Sequence, residues 1–297
     1  MIKKPASHFT SVLQALLVTF LWSTSFIIIK FGLKDLPPLV FAGMRYFLAF
    51  IILLPFLFAH KNRSSLKKIN RTDWYKLLLL GFLFYTVTQA AQFIGLSLLP
   101  SVTVSIILNF TPLFVAIIAI LFLSEIPTSL QWFGVVLFII GVFIYFYPLK
   151  FSTEYLTGIT VMFLGVLANA FSAILGRSVN RESRLEPVVI TVISMGFGSI
   201  ILFIVSLIVE GLPNLSLISV IYIIWLATVN TAFAFNLWNL TLRFLTAVES
   251  SIINGTMLIQ IAILAWIFLG ENLTFVKILG MIITSIGAFL VQIKKRF

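Results

Sequence analysis

The sequence predicts an all-α integral membrane protein of ten transmembrane helices, built as two inverted five-helix repeats. Three observations carry that expectation: an apolar composition, ten apolar runs of bilayer-spanning length, and a phrase written twice. "AIIAILFLSE" stands at residues 116 to 125 and "AILAWIFLGE" at 262 to 271, each an apolar run ending on a carboxylate.

Of the 297 residues, 61% are hydrophobic and 10% charged, with a mean hydropathy of +1.15; soluble domains carry roughly 45–50% apolar and about 25% charged residues. The net charge of +11 lies in short clusters between apolar runs, not along one polar face. It therefore argues against a nucleic-acid partner. With no cysteine and only His8 and His60, a disulfide framework, a zinc–cysteine site, a thiolate nucleophile and a histidine metal cluster all drop out. No cofactor or metal is expected. The nine acidic residues are scattered, with no H-E-x-x-H motif or paired aspartates, so an enzyme lacks its acid–base set. No G-x-x-x-x-G-K-[ST] loop is present, which removes an ATP-driven pump.

A hydrocarbon core of ~30 Å takes about 20 residues of helix, and lipid tolerates no unpaired backbone amide. That rule places spans near 14–33, 39–59, 77–96, 102–122, 130–149, 157–176, 188–209, 218–238, 247–268 and 275–293. The first follows Lys3 and Lys4 like a signal peptide, but it lacks a small-residue cleavage site and further spans follow, so it reads as a retained helix. With the N-terminus inside, the inner segments hold 15 of the 20 basic residues, and the outer loops hold Lys34 and Lys150. The positive-inside rule then puts both termini in the cytoplasm of a multi-pass cell-membrane protein. The polar stretch 60–76, "HKNRSSLKKINRTDWYK", reads as an orientation signal that meets anionic lipid. Trp74 and Trp132, at predicted helix ends, read as interfacial belt residues.

Sliding the chain by 146 aligns 94–144 with 240–290 and pairs Ser105 with Ser251, Glu125 with Glu271, Gly134 with Gly280 and Gly141 with Gly287. A slide of 147 sets Trp22 on Asn169, Ser25 on Ser172 and Lys30 on Arg177. The halves are then 1–150 and 151–297. Five helices per half is an odd number, so the second copy enters the membrane from the opposite side, the layout of transporters whose site lies near the midplane between repeats. Two inverted halves can pack in two near-degenerate ways, which is what alternating access requires.

The segments "FLWSTSFIIIKFGL", "MRYFLAFIILLP", "NFTPLFVAIIAILFLSE" and "AFNLWNLTLRFLTAVESSIINGTMLIQIAILAWIFLGE" resemble the EamA family of the drug/metabolite transporter superfamily across essentially the whole chain. The resemblance implies an export or exchange protein for small organic metabolites, with a central cavity lined by helices one, three, four, six, eight and nine. One departure stands out. The family proline is kept in helix four as Pro112, but Leu258 holds the matching place in helix nine, so unequal kinks are expected.

Candidate substrate-binding residues follow from helical faces. Tyr85, Thr88, Gln89 and Gln92 fall within an arc of about 100° on helix three, too polar to face acyl chains; they line either the cavity or interhelical contacts. Ser105, Asn109 and Pro112 share a face of helix four, and Ser250, Ser251 and Asn254 a face of helix nine. Asn169 on helix six aligns with Trp22 on helix one, beside Ser25. Trp22 and Trp238 share faces with polar residues and suit stacking on a flat or cationic solute. Coupling or gating candidates are Glu249, the one acidic residue inside a predicted span, and Lys30 and Arg45 near the outer interface, where long basic chains can instead snorkel as anchors. The glycine stripe of helices five and ten reads as scaffold or as a homodimer contact.

The sequence thus points to a secondary transporter of a small organic metabolite such as an amino acid or amphipathic amine, a passive channel or uniporter being the alternative. Its expected partners are that solute and membrane lipid.

Overall fold

The computed structural model describes residues 8–59, 62, 66, 69–123, 128–147, 152–182, 185–241, 244–245 and 253–292, and these are helical apart from short connections. Each of the ten predicted runs contains described helix, and residues 247–252 of the ninth lie outside the described residues. Here they are α1 (His8–Gly32), α2 (Pro38–Leu57), α3 (Arg71–Leu98), α4a (Ser101–Leu108) with α4b (Thr111–Leu123), α5 (Ser129–Phe146), α6 (Thr153–Glu182), α7 (Pro187–Glu210), α8 (Leu217–Trp238), α9 (Met257–Leu269) and α10 (Phe275–Gln292). Among the described residues, seven helices are long and apolar enough to cross a membrane; Ser101–Val115, Ile253–Leu269 and Phe275–Val291 are apolar but shorter.

The repeat is visible in the element boundaries themselves. α5 and α10 each run 18 residues from starting points 146 positions apart. α4b and α9 each run 13 residues, again offset by 146. Both α3 and α8 widen into a π-helical stretch, Gly81–Thr88 and Thr228–Phe233, beginning 147 positions apart.

Equivalent helices also run antiparallel, as inverted copies must. A Cβ on Gly134 would meet the Gly287 carbonyl at 3.0 Å, and one on Gly141 would meet the Gly280 carbonyl at 2.9 Å. Ascending one helix descends the other. The glycine stripe therefore closes the α5–α10 contact inside the chain, where backbone touches backbone. Helices α2 and α7 pack the same way, Gly43 facing Phe203 and Gly196 facing Phe50.

Helix four breaks at Asn109 and Phe110, just before Pro112. Proline cannot donate to the carbonyl one turn back, so the interruption is expected. Helix nine is interrupted as well, at Thr256 and without a proline. There Gly255, a weak helix former, precedes a threonine whose hydroxyl donates to the Ile253 carbonyl at 2.6 Å and competes with the backbone.

The interior is a close-packed apolar cluster in which Ile29, Phe41, Phe93, Met162 and Met195 have essentially no exposure. Large apolar side chains also cover the outside: Ile208, Leu217 and Phe275 are 78–79% exposed. Water would penalise such a surface, and acyl chains would not. Trp74 and Trp132 are outward-facing as well.

Candidate functional site

Polar side chains converge where α1, α2 and α3 of the first half meet α8 of the second. The centre is Arg45, seven residues into α2, or about 10 Å along its axis. It does not snorkel: only 3% of it is exposed. Its Nε donates to Thr231 Oγ1 at 3.0 Å, and Thr231 in turn donates to the Leu226 carbonyl across the π-helical stretch of α8. The guanidinium carbon lies 5.0 Å from the Tyr46 ring centre and 5.9 Å from that of Phe93, an arrangement that stabilises a cation through the ring quadrupole.

Tyr46 donates its hydroxyl to Gln89 Oε1 at 2.5 Å. From there an aromatic chain leads away from the start of α2. Tyr46 meets Tyr85 at 5.9 Å between ring centres, Tyr85 meets Phe235 at 6.3 Å, and Trp22 meets both Phe235 and Trp238 at 5.3 Å. A polar pole around Arg45 and Gln89 and a run of aromatic rings are thus contiguous, with Trp22 and Trp238 half-buried at the far end.

The predicted helix-three face is split. Tyr85 and Gln89 are buried at the site, but Thr88 lies against α6, its hydroxyl 2.9 Å from the Leu83 carbonyl and 3.4 Å from the Gly165 carbonyl. The cause is the π-helical stretch, which widens the turn and displaces faces projected at 100° per residue. Gln92 is half-buried and makes no hydrogen bond to a described residue.

Other candidates sit elsewhere. Ser25 is buried and donates to the Trp22 carbonyl of its own helix at 2.6 Å. Asn109 donates back to the Ser105 carbonyl at 2.8 Å, and Asn169 donates to Thr111 Oγ1 at 3.1 Å, joining α6 to α4b. Asn254 is exposed. Glu249, Ser250 and Ser251 lie outside the described residues. Lys30 ends α1 half-buried and within electrostatic range of Glu271.

Several contributors were not singled out from the sequence. Thr231 and Phe235 belong to the site, and Asn230 is fully buried, donating to Thr24 Oγ1 at 3.1 Å and to the Leu21 carbonyl while its Oδ1 has no partner. Gln260 ties α9 to α1, its Oε1 accepting from Ser23 Oγ at 2.9 Å and its Nε2 donating to Thr19 and Thr256. Polarity inside predicted spans was the available signal for all but Phe235. By contrast, a groove of about 240 Å³ between α2, α7 and α8 is lined only by apolar residues such as Met44, Phe47 and Phe203. It suits an acyl chain better than a polar solute.

Two carboxylates of the second half clasp the first at its predicted outer end. Glu271 accepts from the Ser101 and Val102 amides at 2.6 and 3.3 Å. Glu210 accepts from Leu39 and Val40 at 3.2 and 2.8 Å. Both recipient helices open on proline, Pro37 and Pro100, with no side-chain cap. Their exposed amides and positive dipole ends therefore take a carboxylate from across the repeat.

Apolar helices in inverted halves around a polar interface define a multi-pass membrane transporter. A profile of the EamA-like transporter family matches residues 9–147 and again 156–293, and the chain belongs to that family. It is similar to "Uncharacterized transporter YoaV" of Bacillus subtilis (strain 168), 25% identical over 92% of this chain and 93% of the relative. It is also similar to a "Probable amino-acid metabolite efflux pump" of Escherichia coli (strain K12), 26% identical over 93% and 92%. A solved crystal structure superposes with a TM-score of 0.66 at 14% identity, covering 97% of this chain and 96% of that one, which speaks for the fold alone.

Proposed function

We propose that this protein is a secondary transporter of the cell membrane that exports or exchanges a small organic metabolite, such as an amino acid or an amphipathic amine, by alternating access. The reading rests above all on one observation: the polar and aromatic site spans the boundary between the repeats, with Arg45 and Gln89 on one side and Thr231, Phe235 and Trp238 on the other. A solute bound there contacts both halves, so their relative movement changes which side of the membrane it can reach. The two carboxylate clasps hold the outer end together and leave the cytoplasmic end as the way in.

The proposal includes ten membrane-spanning helices, both termini in the cytoplasm, and a division into halves near residue 150. The name of the Escherichia coli relative, at 26% identity, supports amino-acid-like solutes over others. Energy would come from the solute's own gradient or from a coupled ion.

Reconstitution in liposomes tests the reading. Saturable uptake accelerated by internal solute is the expected outcome; uptake that neither saturates nor shows counterflow would indicate a channel. Cysteines engineered immediately after Leu123 and after Leu269 should label from opposite sides of the membrane. Labelling from one side would remove the inverted topology, and alternating access with it.

A further inference from the structure

We infer that the solute carries a carboxylate and that Arg45 binds it; this rests on the transport reading and names the substrate class of the same site. Arg45 is 3% exposed, yet it forms no ion pair with a carboxylate among the described residues. Glu210, which meets the start of the same helix, has both oxygens committed to the Leu39 and Val40 amides. A buried guanidinium that two rings and one hydroxyl stabilise but no carboxylate neutralises is costly inside a membrane protein, which makes it a candidate to meet a visiting anion.

The geometry leaves one edge of that guanidinium open. Nε is taken by Thr231, and rings of Tyr46 and Phe93 lie near the guanidinium carbon. Among the described residues neither terminal nitrogen has a hydrogen-bond partner, and neither is fully enclosed: the enclosed unpartnered side-chain atoms there are Ser11 Oγ, Ser101 Oγ and Asn230 Oδ1. The terminal nitrogens therefore keep what little accessible surface Arg45 has. Two parallel N–H groups in that fork match the two oxygens of a carboxylate.

Neighbouring groups lean the same way. Gln89 spends its carbonyl oxygen on Tyr46 and leaves its amide nitrogen free, and the Tyr85 hydroxyl makes no hydrogen bond among the described residues. These unspent groups can all donate to an anion. A cationic solute would be repelled from this pole; an amino acid's carboxylate would lie here and its side chain would run along Tyr85, Phe235 and Trp22.

Purified full-length protein is titrated with L-phenylalanine, L-leucine and 3-phenylpropanoate, and in parallel with L-phenylalaninamide, L-leucinamide and phenethylamine, following tryptophan fluorescence and thermal unfolding. The acids should bind and raise the unfolding temperature, and the uncharged or cationic counterparts should bind at least tenfold more weakly. Arg45→Gln should lose acid binding tenfold or more, and Arg45→Lys should retain part of it. Arg45→Gln removes a buried charge that no carboxylate neutralises, so its unfolding temperature without ligand should match or exceed wild type; Thr231→Val, which keeps the charge, should weaken acid binding severalfold as an independent check. Amides binding as well as acids, no response to any acid, or undiminished acid binding in Arg45→Gln would each overturn the inference. Counterflow of the amides or amine that survives Arg45→Gln would sink the carboxylate assignment and leave transport standing, whereas non-saturable uptake of every probe would sink the transport reading itself.

Discussion

Glu271 accepts a hydrogen bond from the backbone amide of Ser101 at 2.6 Å, joining the loop after α9 to the first turn of α4a across 170 residues of chain. Pro100 offers that helix no side-chain cap, so the carboxylate is both cap and clasp. Hydrogen bonds to charged groups contribute about 1.5–3 kcal/mol. Glu271→Gln should lower the unfolding temperature, and a cysteine placed at Thr103 should react faster with an impermeant reagent added outside. Unchanged labelling would mean that Glu271 is a cap and not part of an outer closure.

Tyr46 and Gln89 act as a pair. Tyr46→Phe and Gln89→Ala should each reduce transport with insertion intact, and the double variant should lose less than the sum, with a coupling energy of about 1 kcal/mol in a double-mutant cycle on binding. Full additivity would separate the two side chains functionally.

Trp22 and Trp238 form the aromatic end of the site. Replacing either by alanine should weaken solute binding about 2- to 10-fold, in line with roughly 0.5–1.5 kcal/mol for an aromatic contact. The measurement is half-saturation in counterflow. Wild-type values for both would place the solute elsewhere.

The α5–α10 contact leaves no room for side chains. Gly141→Leu should abolish folding, and Gly141→Ala should lower the unfolding temperature, since a Cβ there would stand 2.9 Å from the Gly280 carbonyl. Neither should alter solute affinity in whatever fraction folds. Gly141→Leu protein of normal stability would show that the two helices do not meet as described.

Glu249 is the acidic candidate for coupling, placed by sequence inside the ninth span. Glu249→Gln should abolish transport driven by a pH gradient and spare solute exchange. An unchanged response to pH would remove it from that role.

Much of the architecture is written in the linear sequence. Hydropathy located the apolar helical segments, most of them to within several residues among the described residues, because the length of an apolar run is a local property that a bilayer reads directly. The offset of 146 was equally legible, and it reappears in the boundaries of α5 and α10. The site was legible only in part. Trp22, Trp238, Tyr85 and Gln89 could be singled out as polar or aromatic residues on shared faces; that Thr88 takes the interhelical alternative, against α6, was not legible, because nothing in the sequence marks a π-helical turn.

What the sequence alone determined, then, is which segments are membrane-like helices and that they come in two matching sets. Tertiary structure alone decided that Arg45 turns inward to Thr231, that Glu271 reaches Ser101, and that the two glycine pairs face each other. The reason is physical: in a membrane protein the lipid-facing and protein-facing sides of a helix are both apolar, so the usual contrast that orients a helix is nearly absent. Only packing, close backbone approach and the need to satisfy each polar group choose among the faces, and those constraints join residues distant in the chain.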